Sequence, residues 1–293
     1  MTLALFFEQL LYGLQFGLML FLLSIGVTLV FGLMGLVNIA HGSMFMIGAY
    51  IGFTVGERAG PLLGFAAGLA GAAVVALVIE ISVMRRIYRK KHLEQVLATF
   101  GLMLILNELV IAIWGREPLL ASMPAWLAGS VHLFGDLYYP TYRLAISFVA
   151  VSAGAAMYLV LTRTRVGMLV RASAEKRAIA EALGVNVDTL FMIVFVFSAV
   201  LAALAGLMMG PLITVEAGVG EPLLVLALVV IILGGAGSLK GCLMASLLIG
   251  VIDTFARVYL SGVGGGGQAI ANMVVYILML FVLLLRPQGL FNR

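Results

Sequence analysis

Residues 10–33 read LLYGLQFGLMLFLLSIGVTLVFGL, an uncharged run long enough to cross a bilayer. A helix needs about 20 apolar residues to span the hydrocarbon core. Outward from this run, residues 62–84, 96–114, 144–161, 190–209 and 269–285 approach or exceed that length. Only 10% of the residues are charged while 63% are hydrophobic, too few charges to clothe a soluble protein. Lipid must therefore be the solvent for most of the outer face. Backbone groups in lipid bond internally, which leaves helices or a closed barrel. Unbroken apolar runs favour helices, because barrel strands alternate with period two. The expected fold is all-α: a polytopic transmembrane bundle of eight or nine helices, forming one domain over residues 1–293. The first run follows a segment without a basic n-region, so it reads as a retained helix and not a cleaved signal.

The net charge of +4 comes from basic residues gathered between the runs. One cluster is Arg85, Arg86, Arg89, Lys90 and Lys91; the other is Arg163, Arg165, Arg171, Lys176 and Arg177. Neither forms a stripe with interleaved aromatics, which argues against a nucleic-acid partner. Basic loops stay cytoplasmic, so both clusters are expected in the cytosol. Residues 62–84 then run inward and 96–114 outward, with 115–140 as an external loop. Residues 144–161 return inward. Residues 190–209 leave again and stop at Gly210-Pro211, a helix terminator. Residues 269–285 end inside, at Arg286-Pro287. Cys242, in an apolar stretch, reads as a small packed hydrophobe.

Two stretches interrupt the apolar pattern. One is Asn38-Ile39-Ala40-His41-Gly42; the other runs from Gly234 and Gly235 through Gly237-Ser238 to Gly241. In each, a span breaks at glycine and a small-residue helix follows. Glycine-interrupted segments in matching positions of two halves mark transporters built from internal repeats, so a repeat is expected, with broken or re-entrant segments. Asn38, His41, Gly42, Gly234, Gly235 and Gly237 are the pathway or helix-break candidates. His92 and His132 are placed on opposite sides of the membrane, so His41 reads as a packing or hydrogen-bonding group at the break before a metal ligand. Asp253 and Arg257 stand four apart on one helical face, an intramembrane ion pair that could be structural or part of a gate. Asn107 and Glu108 interrupt their span and suit bonding between helices. Glu80 belongs near the cytosolic interface.

The loop 163–189 is expected to carry a helix over residues 173–184, with Ser173 as N-cap and Gly184 just past its end. Ala178, Ala182 and Leu183 would form a small-residue face, with Ile179 beside it. Such a face suits insertion into a partner's groove; a solvated connecting helix is the alternative. Arg171 and Ala174 complete the candidate coupling set.

Here the chain resembles the permease family of ABC importers for branched-chain amino acids. Gly35-Leu36-Val37-Asn38-Ile39-Ala40-His41-Gly42 with Met46-Ile47-Gly48-Ala49-Tyr50 is similar to the family's early motif. Gly167, Arg171-Ala172, Ala180 and Ala182-Leu183-Gly184-Val185-Asn186 resemble its cytosolic loop. Gly234-Gly235-Ala236-Gly237-Ser238 with Gly241 resembles its late glycine motif, and Arg286-Pro287-Gln288-Gly289-Leu290-Phe291 its usual ending. Cys242 departs from the family, where a small residue, often threonine, is common.

The resemblance implies a multi-pass bacterial inner-membrane permease that forms a pathway with a second permease subunit, a paralogue or a second copy. It implies cytosolic ATPases docked on the loop and a periplasmic substrate-binding protein as partners, besides membrane lipid. The chain contains no G-x-x-x-x-G-K-[ST] phosphate loop. No cofactor is expected on this chain, no catalytic or metal site, and ATP is expected to be used by the partner subunit. Import of urea or an amide is the alternative within the family. An ion-coupled secondary transporter would need a substrate and ion site within the chain, and an intramembrane enzyme a catalytic pair. The docking-helix motif and the lack of an acidic intramembrane cluster count against the first, which stays as the alternative from another class, and no catalytic pair supports the second.

Overall fold

The computed structural model describes residues 3–88, 90–134, 137–235, 237–262, 266–286 and 289–290. Among them, seven helical segments are long and apolar enough to cross a membrane: Leu5–Met34, Pro61–Ile87, His92–Trp114, Thr141–Arg163, Val187–Leu212, Leu239–Leu260 and Gly267–Leu285. Two further helices are α2 (His41–Ala59), which starts within the interrupted stretch 38–42, and α10 (Gly220–Gly234), which ends where the stretch 234–241 begins.

The chain divides into two compact units, Ile25–Ser122 with Ala155–Val225, and Met1–Ser24 with Met123–Gly154 and Leu226–Arg293. The first is built on α2, α3 (Pro61–Ile79) and α9 (Val187–Met209). Hydrocarbon offers no hydrophobic drive for helices to associate, so close backbone approach through small residues supplies the contact. Gly48, Gly52 and Gly56 face Gly64 and Gly68 along the α2–α3 seam. Gly48 also meets Ala203, and Gly206 meets the Phe45 carbonyl, along the α2–α9 seam. Only Gly60, with φ +94°, separates α2 from α3. Helix α3 continues through a π turn, Glu80–Met84, into α4 (Arg85–Ile87). Gln95, on α5 (His92–Trp114), donates to the carbonyls of Ile87, Tyr88 and Lys90 at 3.1–3.3 Å and so satisfies the orphan acceptors at that helix end.

The second unit holds the start of α1 (Leu3–Met34), the start of α6 (Thr141–Arg163), α11 (Leu239–Leu260) and α12 (Gly267–Leu285). Gly13 and Gly17 seat α1 on the backbone of α11 at Ser246–Val251. Arg143 donates to Gln15 at 2.8 Å and lies 4.3 Å over the Tyr12 ring, so amide and aromatic groups hold the cation together. The loop 115–140 is not wholly irregular: β1 (Ser130–Phe134) and β2 (Leu137–Pro140) form an antiparallel hairpin with Val131 opposite Tyr139. Residues 135 and 136, at its turn, lie outside the described set.

The loop 163–189 departs from its expected shape. Ser173 is no N-cap: it is buried inside α7 (Arg165–Glu175), which Thr164 caps by accepting from the Gly167 amide at 3.2 Å. Lys176, at φ −147° and ψ 85°, ends that helix, and a separate short helix, α8 (Arg177–Ala182), follows. Threonine wins the cap because Gly167 is pressed onto the Leu161 carbonyl, which fixes the turn there. Arg171 donates to the same Leu161 carbonyl. Gly184, at φ +84°, follows α8 as a left-handed residue where glycine is favoured.

Candidate functional site

Helix α1 stops at Met34 because Gly35 takes φ +63° and returns its amide to the Phe31 carbonyl at 2.9 Å. The chain then doubles back before α2 begins. Asn38 organises this stretch: its side-chain oxygen accepts from the Ala40 amide at 3.1 Å, and its carbonyl accepts from the His41 amide at 3.2 Å. Thr99 of α5 reaches the Val37 carbonyl at 3.5 Å. Asn38 and His41 are both buried. The His41 ring lies against Gly26 of α1, beside the Ser198 carbonyl at the midpoint of α9. A Cβ at Gly26 would come 2.9 Å from both. Helix α2 thus begins beside the midpoint of α9.

A second helix start meets it there. Residues 213–219 form an irregular strip between α9 and α10. Val215 pairs with Leu119 (2.8 and 3.4 Å) and accepts from the Tyr50 hydroxyl at 3.4 Å. The Gly218 amide points at the Met46 sulfur, 3.3 Å away. Gly42, in the first turn of α2, rests on Gly220, the first residue of α10, so closely that a Cβ at Gly42 would come 2.5 Å from the Gly220 carbonyl oxygen. Neither position can carry a side chain without separating the two helix starts.

Beside this contact lies a cleft of about 1060 Å3. Asn107 and Glu108 of α5, Glu216 of the strip, Glu221 of α10 and apolar Ile213 and Pro222 contribute to its wall. Asn107 donates its amide to Glu221, joining α5 to α10. No lysine or arginine stands among the lining residues. The cleft is therefore acidic with apolar flanks, and Glu221 sits in the first turn of α10, where the helix dipole favours a negative charge.

The structure brings Asn38, His41 and Gly42 into one place. The other glycine candidates belong to the other unit. Gly234 ends α10, and Gly235 and Gly237, at φ +89° and +80°, make the turn into α11, which Ser238 caps by accepting from the Gly241 amide at 3.1 Å. Ala236 lies outside the described residues. Asp253 and Arg257 meet on α11 in a two-pronged pair at 2.7 and 3.0 Å, and Arg257 also donates to Asn272 of α12 at 3.0 Å. In the loop, Arg171, Ala174, Ala182, Leu183 and Gly184 are exposed, and Ala180 is buried instead; the Ala178 side chain lies outside the described set. Sequence reasoning missed the break at residues 217–222. Its signal was the run Ala217-Gly218-Val219-Gly220-Glu221-Pro222, which is rich in turn formers. The Asn107–Glu221 bond had no local signal, since its partners are far apart in the chain.

A family described as the branched-chain amino acid transport system permease component matches residues 9–283. The high-affinity branched-chain amino acid transport system permease protein LivH of Escherichia coli is 30% identical over 98% of this chain and 96% of its own. The corresponding permease protein BraD of Pseudomonas aeruginosa is 29% identical over the same shares. The ribose import permease protein RbsC of Escherichia coli is 27% identical over 89% of this chain and 81% of its own. No solved structure matches the chain significantly.

Proposed function

The chain belongs to the family of branched-chain amino acid transport system permease components, and from that premise we propose that it lines the pathway of a binding-protein-dependent ABC importer in the bacterial inner membrane. Its cargo is a branched-chain or related amino acid. The carrying observation is the meeting of two helix starts, α2 and α10, near the midpoint of α9 and beside a cleft. Interrupted helices at mid-depth are where transporters put their substrate sites. The carboxylates can meet the ammonium group of an amino acid, and the apolar flanks its hydrocarbon side chain.

ATP is bound and hydrolysed by separate cytosolic subunits, which dock on α7 and α8. There Leu183 is 79% exposed and Ile179 51% exposed, and Val166, Met168 and Leu169 of α7 are exposed as well, an apolar surface interspersed with the exposed cations Arg165 and Arg171. A second permease subunit completes the pathway, and a periplasmic binding protein delivers the solute. Residues 1–293 act as one permease domain, because α1, α6 and α10 each run unbroken from one unit into the other. The breaks at residues 35–42 and 234–241 are the related pieces of an internal repeat.

Reconstitution tests this. The purified chain in liposomes should move no amino acid by itself. Uptake of leucine, isoleucine or valine should appear with ATP once the ATPase, the paired permease and the loaded binding protein are added. Accumulation driven by a sodium or proton gradient, with this chain alone, would replace the reading with secondary transport.

A further inference from the structure

Glu80 is a carboxylate with no exposed surface, next to the basic end of α3. Burying such a charge is tolerated only with a partner of good geometry. The partner is Arg85, whose Nε lies 3.2 and 3.1 Å from the two Glu80 oxygens. The residues are five apart, a spacing that the π turn Glu80–Met84 brings onto one side. Single π turns within α-helices occur often at functional sites.

The other end of the Arg85 guanidinium is held less firmly. Its terminal nitrogen points at the Met192 sulfur of α9, 3.3 Å away, and a thioether is a weak acceptor. Asp188 stands one turn earlier on α9, four residues from Met192 and therefore on the same face. It interacts electrostatically with Glu80. Arg85 is 42% exposed along its side chain, so its head group has room to move. Meanwhile the residue after α4 packs on α9 beside it: the Tyr88 and Phe191 rings meet edge-on with centroids 5.5 Å apart.

Asp188 is also short-tethered to α8. The Val185 amide bonds to the Ala180 carbonyl at 3.0 Å, and Asn186 caps α9 by accepting from the Thr189 amide at 3.0 Å. A displacement of α8 must move the first turn of α9, and with it Asp188. We propose that the outer end of Arg85 leaves the Met192 sulfur for Asp188 during the transport cycle, while its Nε keeps Glu80, and so positions the end of α3 in response to the docking helices. This rests on the ATPase docking at α7 and α8. A weak sulfur contact is exchanged for a carboxylate, and the buried Glu80 keeps its partner throughout.

Asp188→Asn decides the matter, because Asp188 is exposed and the Glu80–Arg85 pair stays in place. In the reconstituted importer, this variant should keep wild-type membrane abundance and ATPase co-purification. Its ATP-driven uptake should fall about tenfold, the usual scale of a coupling free energy, while ATP hydrolysis continues. Asp188→Glu should recover most of the uptake. The swap Glu80→Arg with Arg85→Glu restores the pair but sets two carboxylates against each other at residues 85 and 188, so uptake should stay low until Asp188→Arg is added. Near-normal uptake in Asp188→Asn, loss of ATPase retention in it, or full uptake in the swap alone would overturn the proposal. Should the swap not accumulate, Asp188→Asn still decides. A wild-type complex with no ATP-dependent uptake would instead remove the docking reading, and this inference with it.

Discussion

The breaks at residues 35–42 and 234–241 look alike in composition and are built differently. The first is a long detour, held by a buried asparagine, that delivers the start of α2 to the start of α10. Its glycine contact, Gly42 on Gly220, joins residues far apart in the chain. The second closes on itself: Gly241 rests on the Gly234 carbonyl, and Gly289 and Leu290 seal it, the Leu290 amide bonding to the Leu233 carbonyl at 2.8 Å. A glycine-rich break therefore makes a site only where it brings a second element to the gap. Where its glycines meet each other, it makes a turn.

That contrast can be broken most directly at the first contact. Gly220→Ala would force a methyl group into the Gly42 backbone, and overpacking costs about 1–3 kcal/mol. Because α2 and α10 must separate, uptake normalised to membrane abundance should be lost. Preserved uptake would mean that the two helix starts need not touch, and would reduce the first break to the status of the second.

A smaller effect is expected at the wall of the cleft. Asn107→Leu takes the donor away from Glu221, and a polar group left without its partner costs about 1–3 kcal/mol. Uptake should weaken without vanishing, and Glu221→Gln added to it should recover much of the loss. Additive losses in that double-mutant cycle would show that the two side chains do not act as a pair.

The smallest effect is expected at the second break. Ser238→Ala removes the cap of α11, worth about 1 kcal/mol. The thermal midpoint of the purified protein should drop by a few degrees at most, and uptake should remain near wild type. A large transport defect from this change would make the second break part of the pathway and erase the contrast.

The loop shows how far sequence signals reach. Gly184 was readable as a helix stop, because a left-handed residue after a short helix favours glycine. Ser173 misled, since serine and threonine both cap, and the choice of Thr164 depended on Gly167 packing against Leu161. The Asp253–Arg257 spacing was visible on one helix, whereas the third partner, Asn272, comes from another. Family membership was readable from four motifs in order, because each motif is a local run of residues.

Sequence alone determined that this chain is suited to lipid, where most of its long apolar helices run, and which loops carry positive charge. Those properties follow from local composition: a run of apolar residues dictates a spanning helix wherever it sits. The starting point of α2, the contact of Gly42 with Gly220, the Asn107–Glu221 bond and the sharing of Arg85 between two helices were decided by the tertiary structure. Each joins residues that no periodicity connects, and in hydrocarbon, where polar groups find few other partners, the packing of the helices settles which of them meet.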